Sequence, residues 1–196
     1  MRIENIEVMG LESSILASGY AMRVNHEARE LVPNDFKRAE TLTKKSRLNP
    51  AEGQWLTGVR VNFDLTFSNK AWVEAERYRF LEFVTSQSTM HTINKFDVKE
   101  QCNTYVDERI ITVVEELKSN YQQKKTRENY LKIVYNLPAG FELTAKMTTN
   151  YRCLLNIWLQ RHDHRLPEWR EFCDELLELP YFKTLLEQFM GEKINE

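Results

Sequence analysis

Two segments of this chain alternate apolar and polar residues with a period of two, and the second runs into a helical pattern with no turn residue between them. Val59, Val61, Phe63, Leu65 and Phe67 alternate with Arg60, Asn62, Asp64 and Thr66; Phe141, Leu143, Ala145 and Met147 alternate with Glu142, Thr144, Lys146 and Thr148. Successive side chains of a strand point to opposite faces, so each segment predicts a strand with one buried face. From Thr149 the period changes. At about 100° per residue, Tyr151, Leu154, Leu155, Trp158 and Leu159 cover nearly half of a helix, and Cys153 and Ile157 extend its apolar surface around the other side. The chain must bring a half-buried strand and a buried helix together at residue 149.

That helix also carries Asn150, Arg152, Asn156 and Arg161. An unpaired polar group in such a place costs on the order of 1–3 kcal/mol and an unpaired charge more, so all four need partners. Leu154 and Arg161 share one face and Arg152 and Asn156 the opposite one, which requires partners from two directions. Read from the residues alone, two accounts stand: a core helix whose arginines pair with buried carboxylates, or a helix set against a bound ligand or inside an assembly.

The spacing Asn150-x-Arg152-x-Leu154-x-Asn156-x4-Arg161, followed by Glu168-x-Arg170 on the next helix, resembles the C-terminal signature of the flavin-dependent thymidylate synthases. The resemblance implies that Asn150, Arg152 and Asn156 line a flavin and that Arg161, the implied catalytic and substrate-binding residue, contacts the pyrimidine ring. It extends to a leucine-proline turn, a strand with threonines and the Asn-x-Arg helix in the same order. Two departures stand out. Gln54 and Trp55 follow Gly53, where the family commonly has a histidine and an acidic residue. The family's Arg-His-Arg motif also has no clean copy. Arg77-Tyr78-Arg79 keeps both arginines; Gln87-Ser88-Thr89-Met90-His91-Thr92 keeps a glutamine and the histidine but has Met90 and Thr92 where arginines belong. The second stretch is preferred for its polar, loop-like composition, which adds Gln87 and His91 to the expected flavin-binding residues.

Elsewhere the pattern predicts a short strand over Ile3, Ile6 and Val8, a helix from Leu11 to Arg23, two helices between Asn25 and Lys45 interrupted at Pro33, and a loop over Asn49–Gly58. Ser68 or Asn69 caps a helix that holds Trp72, Tyr78, Phe80, Leu81, Phe83 and Val84. An amphipathic helix over Asp107–Tyr121 turns Ile110, Val113, Val114, Leu117 and Tyr121 inward, and another starts at Thr126. Pro167 opens the helix after the signature. A last segment with Phe182, Leu185, Leu186, Phe189 and Met190 could dock on a neighbouring subunit.

The net charge of −2 supplies no basic footprint for nucleic acid. Lys44-Lys45 with Arg47 and Lys124-Lys125 with Arg127 read as solvated helix ends or loops. Cys102, Cys153 and Cys173 form no CxxC pair, which suggests a reducing compartment. His162-Asp163-His164 lacks a third ligand, so no metal is expected. No apolar run approaches the roughly 20 residues of a membrane span and the N-terminus has no signal-peptide core, so a cytoplasmic protein without a membrane partner is expected. A chain of 196 residues suits one domain, residues 1–196.

The resemblance implies an α+β fold with a mixed or antiparallel sheet flanked by long helices, and a homotetramer with sites between subunits. It implies FAD as cofactor, methylenetetrahydrofolate as carbon donor, NADPH as reductant, and deoxyuridylate or a related pyrimidine deoxynucleotide as substrate. A site shared between subunits would account for the missing GxGxxG. The altered Arg-His-Arg motif leaves a second expectation, a non-catalytic descendant of the fold that binds nucleotide or serves in assembly. A purely helical interaction protein leaves the four polar residues of the buried helix unexplained.

Overall fold

The computed structural model describes residues 1–25 and 29–194. Its frame is a four-stranded antiparallel sheet in the order β1-β2-β4-β3. β1 (Arg2–Met9) lies at one edge, with a register shift between Glu4 and Glu7. β2 (Arg60–Ser68) and β4 (Glu142–Asn150) form the centre, paired without a shift from Arg60 opposite Asn150 to Ser68 opposite Glu142. β3 (Glu82–Ser86) forms the other edge. The period-two reading of β2 and β4 is what the fold uses: Val61, Phe63, Leu65 and Phe67 are fully buried, as is Met147.

Helices cover that buried face. α1 (Leu11–Ala17) and a 3-10 turn at Tyr20–Met22 replace the single helix expected to Arg23. The helix stops short of Gly19, the residue least able to sustain it. Gly10, which precedes α1, has φ +74°, and a Cβ there would lie 2.7 Å from the Gly58 carbonyl oxygen, so glycine permits the close approach of these two segments. α2 (Pro33–Ser46) begins with its proline in the first turn. Of the helix expected ahead of it, residues 29–32 are not helical and 26–28 lie outside the described residues. Buried Asp35 of α2 gathers the chain before it: Arg29 donates to both carboxylate oxygens at 2.7 Å, Arg23 and Arg38 lie at 3.3 and 2.8 Å, and the Val32 amide donates at 3.0 Å. The hydrogen bonds from Arg29 and Val32 hold this carboxyl far below the usual range despite its burial. The expected loop at 50–58 is a nine-residue 3-10 segment, Pro50–Gly58, with Asn49 as its cap.

α3 (Asn69–Ala75) is capped by Ser68, whose hydroxyl accepts from the Ala71 amide at 3.2 Å. It ends seven residues in, and Phe83 and Val84, expected on its continuation, lie in β3, where Phe83 sits opposite Met147. Aromatic and β-branched residues suit a strand, and the free edge of β4 decided between the two. A short α4 (Thr89–Thr92) and a 3-10 turn follow. α5 (Glu108–Gln123) and α6 (Arg127–Tyr135) enclose a smaller core of Ile93, Val98, Ile111, Val114, Ile133 and Phe141. α5 is rotated from the expected stripe: Ile111, Val114 and Lys118 face in, whereas Ile110 and Val113 are 44% and 49% exposed. The Lys118 ammonium reaches the Phe96 carbonyl at 2.6 Å and Glu115 at 3.2 Å, which lets a lysine take a core-facing position.

α7 (Tyr151–Arg161) leaves β4 with no loop, and α8 (Pro167–Leu177) packs beside it. Phe67 meets Trp169 at 4.9 Å and Phe172 at 5.8 Å in edge-on geometry, joining the sheet to α8. α9 (Phe182–Met190), expected to suit a neighbouring subunit, instead buries Phe182, Leu185 and Leu186 within this chain. Tyr181 ahead of it touches Phe36 of α2 edge-on and donates a hydrogen bond to Glu40. No helix among the described residues is long and apolar enough to cross a membrane.

Phe67 contacts three aromatic rings at the centre of the sheet–helix interface. Phe67→Ala is expected to cost about 3–5 kcal/mol in urea unfolding, the range for truncating a fully buried phenylalanine. A loss below 1 kcal/mol would show that this cluster is not the core.

Candidate functional site

The join of β4 and α7 sets one wall of a cleft of about 870 Å3. Asn150 ends the strand and caps the helix: its Oδ1 accepts from the Cys153 amide at 3.0 Å, and the next amide, Tyr151, donates to the Val59 carbonyl at 3.0 Å. Asn150 is only 4% exposed, and its side-chain amide nitrogen has no partner among the described residues. The sheet register sets Arg60 opposite Asn150. Arg152, Cys153, Asn156 and Gln160 continue this wall along α7. Gln54 and Thr57 of the 3-10 segment form a second side, and Arg77, Tyr78, Arg79 and Phe80, on the connection from α3 to β3, form a third.

Four of these residues are arginines and none is a carboxylate. Arg152 donates to Gln54 Oε1 at 2.8 Å, Arg60 to Thr148 Oγ1 at 3.3 Å, and Arg79 lies 5.5 Å from the Phe80 ring centroid. Arg77 has no side-chain partner among the described residues. Four guanidinium groups therefore share a concave surface without a counter-charge, an arrangement that favours an anion with oxygens to chelate. The lining includes no histidine, lysine, aspartate or glutamate. Its other titratable groups are poor acid–base catalysts: burial pushes both the Cys153 thiol and the Tyr78 hydroxyl up, the latter against the opposing effect of Arg161. The cleft can bind, orient and neutralise, but it has no thiolate and no general base near neutral pH.

The expected site residues divide. Asn150, Arg152 and Asn156 come together on the cleft. The expectation that all four polar residues of α7 are buried is corrected: Asn150 and Arg161 are, Arg152 is half-buried and Asn156 exposed. Arg161 does not line the cleft. Its Nη1 donates to Glu74 Oε2 at 2.7 Å and lies 2.7 Å from His164 Nε2, its Nε donates to the Tyr78 hydroxyl at 2.7 Å, and its guanidinium sits over Trp169 at 4.9 Å. For this residue the fold takes the other account of the helix, a core arginine with a partly buried carboxylate.

Gln87 and His91 also lie off the cleft. Gln87 closes the β3–β4 ladder, donating its amide to the Thr144 carbonyl and accepting the Thr144 amide on Oε1, each at 2.9 Å. Thr144 and Asn150 are six residues apart on one strand, about 20 Å at the strand rise. His91 is exposed in α4. The stretch that reaches the cleft is Arg77-Tyr78-Arg79, because the connection from α3 turns back over α7 before β3 begins. Loop-like composition pointed to a connection that lies off this cleft, whereas the stretch that retains both arginines lines it. Gln54, Arg60, Phe80 and Gln160 were not anticipated on the site; Gln54 follows Gly53 at the point where the family departs from this sequence.

Behind the wall, burial pushes the Glu74 carboxyl up, but the Lys70 hydrogen bond and the charges of His164, Arg161 and Lys70 outweigh it and hold the group below the usual carboxylate range. Burial, and then the adjacent Arg161 charge, lower the His164 imidazole despite Glu74.

No protein-family model and no curated protein sequence matches the chain. Among solved structures it is similar to the flavin-dependent thymidylate synthase of Helicobacter pylori complexed with FAD and dUMP, with a TM-score of 0.76 at 15% identity over 99% of this chain and 100% of that one. A second crystal structure of the enzyme from that organism, also with FAD and dUMP, gives a TM-score of 0.75 at 16% identity over 96% and 99%. The chain has the flavin-dependent thymidylate synthase fold, an α+β architecture around an antiparallel sheet.

The lowered His164 gives a pH dependence of defined sign. The unfolded imidazole takes up its proton near pH 6.5 and the folded one only at lower pH. Acidification through about 6.5 therefore favours the unfolded chain, and the stability held by neutral His164 is complete above that value and lost below it. Glu74 loses its own contribution only in the more acidic range below ordinary carboxylate values. Urea midpoints measured from pH 7.5 to 5.5 are expected to fall more steeply for the wild type than for His164→Gln; parallel slopes would contradict the shift.

Proposed function

We propose that this chain binds FAD and a pyrimidine deoxynucleotide at the arginine cleft and acts as an FAD-dependent thymidylate synthase-like methyltransferase, converting deoxyuridylate to thymidylate or carrying out a related one-carbon transfer. The observation that carries the reading is the cleft with four guanidinium groups and no carboxylate, on a fold whose solved examples hold FAD and dUMP.

The residues present fit such ligands. Arg77 and Arg79, exposed and free of acidic partners, suit the phosphate oxygens, which a forked guanidinium can chelate in pairs. Phe80 offers a ring face beside them. Asn150, whose carbonyl oxygen is committed to capping α7, presents its amide donors to the cleft, and Asn156 adds an exposed amide on the next turn. Arg152, steadied by Gln54, supplies a fixed positive charge where electron density collects on a bound ring system.

When bound, the flavin supplies the hydride that completes the methyl group. This matches a lining in which no side chain can serve as nucleophile or base, so that the protein's part is orientation and electrostatics. Methylenetetrahydrofolate as carbon donor and NADPH as reductant complete the reaction, and a homotetramer in the cytoplasm, without membrane or nucleic-acid partners, is the proposed setting. An 870 Å3 cleft open to solvent in one chain is consistent with a site that a neighbouring subunit finishes.

The first measurement is the visible spectrum of the purified protein after incubation with FAD and desalting, followed by dUMP-dependent formation of dTMP with methylenetetrahydrofolate and NADPH. Retained flavin bands and turnover are expected in the wild type. Arg77→Ala and Arg79→Ala are each expected to weaken FAD binding at least about tenfold, the worth of a charge-assisted contact. A wild type that takes up no flavin would overturn the proposal.

A further inference from the structure

A second hollow, of about 740 Å3, lies between α1, α2 and the 3-10 segment Pro50–Gly58, and Gln54 and Thr57 line both it and the arginine cleft. The two meet across one short stretch of chain, so a ligand longer than either can occupy both. Their chemistry differs. Whereas guanidinium groups line the cleft, the hollow is mainly apolar: Ser14, Ala17 and Ser18 present small side chains, with Leu42 of α2 and the Trp55 indole around them. Small side chains beside an indole leave room for a flat aromatic ring.

Along α2 the hollow is basic. Arg38, Leu42 and Lys45 recur at i, i+4 and i+7, which sets them on one face of that helix, and all three line the hollow. Lys44 and Lys45 form the end of the helix; both are exposed, and neither has an acidic partner among the described residues. Arg38 shares the single carboxylate of Asp35 with Arg23 and Arg29, so that group adds net positive charge beside the lysines. Glu52 is the one carboxylate on the lining. An apolar slot that ends in unpaired ammonium groups suits an aromatic ring carrying a carboxylate tail.

We propose that this hollow takes the aminobenzoyl-glutamate half of the folate carbon donor, with Lys45 pairing the first glutamate and Lys44 extending the basic surface for further glutamates of a polyglutamate tail. The inference rests on the reaction proposed for the cleft. A folate carries its reacting pterin at one end, a flat ring in the middle and its carboxylates at the other end. Joined hollows of unlike chemistry match that division: Gln54 and Thr57 mark the crossing, the cleft receives the reacting end, and the basic end of α2 receives the tail. Glu52 offers an acceptor to the amide N–H that joins ring and glutamate.

The test measures, by calorimetry on the full chain, the affinity of p-aminobenzoyl glutamate with one and with three glutamates. The triglutamate is expected to bind more tightly, and the exposed double charge reversal Lys44→Glu/Lys45→Glu to weaken it at least about tenfold, the combined worth of two exposed ion pairs turned repulsive. The same variant is expected to raise the KM for methylenetetrahydrofolate polyglutamate while FAD and dUMP bind as in the wild type, a split that general loss of structure would not produce. No binding of either probe, equal affinity for the two, or an unchanged triglutamate affinity in the variant would overturn the inference and leave the arginine cleft standing. A variant that loses affinity for NADPH and keeps that for folate would assign the hollow to the reductant and overturn it as well. A wild type that takes up no FAD would remove the cleft reading and the inference with it.

Discussion

The pairing of β2 with β4 is the constraint on which the rest of this molecule depends. Nine consecutive residue pairs without a shift, from Arg60–Asn150 to Ser68–Glu142, fix which side chains face the helices and where the strand must end. A slip of one residue would turn Val61, Phe63, Leu65 and Phe67 to the opposite face and remove the surface against which α7 and α8 pack. The same register sets Arg60 beside Asn150, and Asn150 converts the strand into a helix by accepting the amide of Cys153. Core and cleft therefore begin at one residue.

Charge is arranged differently on the two sides of the wall. Behind it, each buried cation has an acidic or carbonyl partner: Arg161 has Glu74, and Lys118 has Phe96 and Glu115. Around Asp35, three arginines converge on one carboxylate. In front of it, four guanidinium groups face solvent with none. What sets the cleft arginines apart is that they gather on one concave surface, a geometry of forked donors that suits a phosphate-bearing ligand.

Much of this was legible in the sequence where a repeat left no alternative. Strict alternation identified β2 and β4, and the absence of any turn residue after Thr148 placed α7. The spacing of Asn150, Arg152 and Asn156 brought them to one surface, since a strand end and the first two helical turns span a short distance. Failures came where local pattern was ambiguous. Phe83 and Val84 fit a helix or a strand, and β4 had an open edge to offer. On α5, adjacent Ile110–Ile111 and Val113–Val114 supply two candidate stripes, and packing against Phe141 and Ile133 chose the one that includes Lys118. Gln87 and His91 lie off the cleft, since a polar, irregular stretch also suits the turn that closes a pair of strands.

By itself, the sequence determined the two central strands, the buried helix that follows the second, and a set of polar residues too costly to bury without partners. Tertiary structure alone decided which partners they found. Glu74 and Arg161 are 87 residues apart, and Tyr78 and Arg161 are 83 apart; no local periodicity reports contacts of that range. They form because β2 carries α3 across the sheet to meet the far end of α7. The long-range closure of the sheet thus made Arg161 a buried anchor and left Arg77 and Arg79 at the mouth of the cleft.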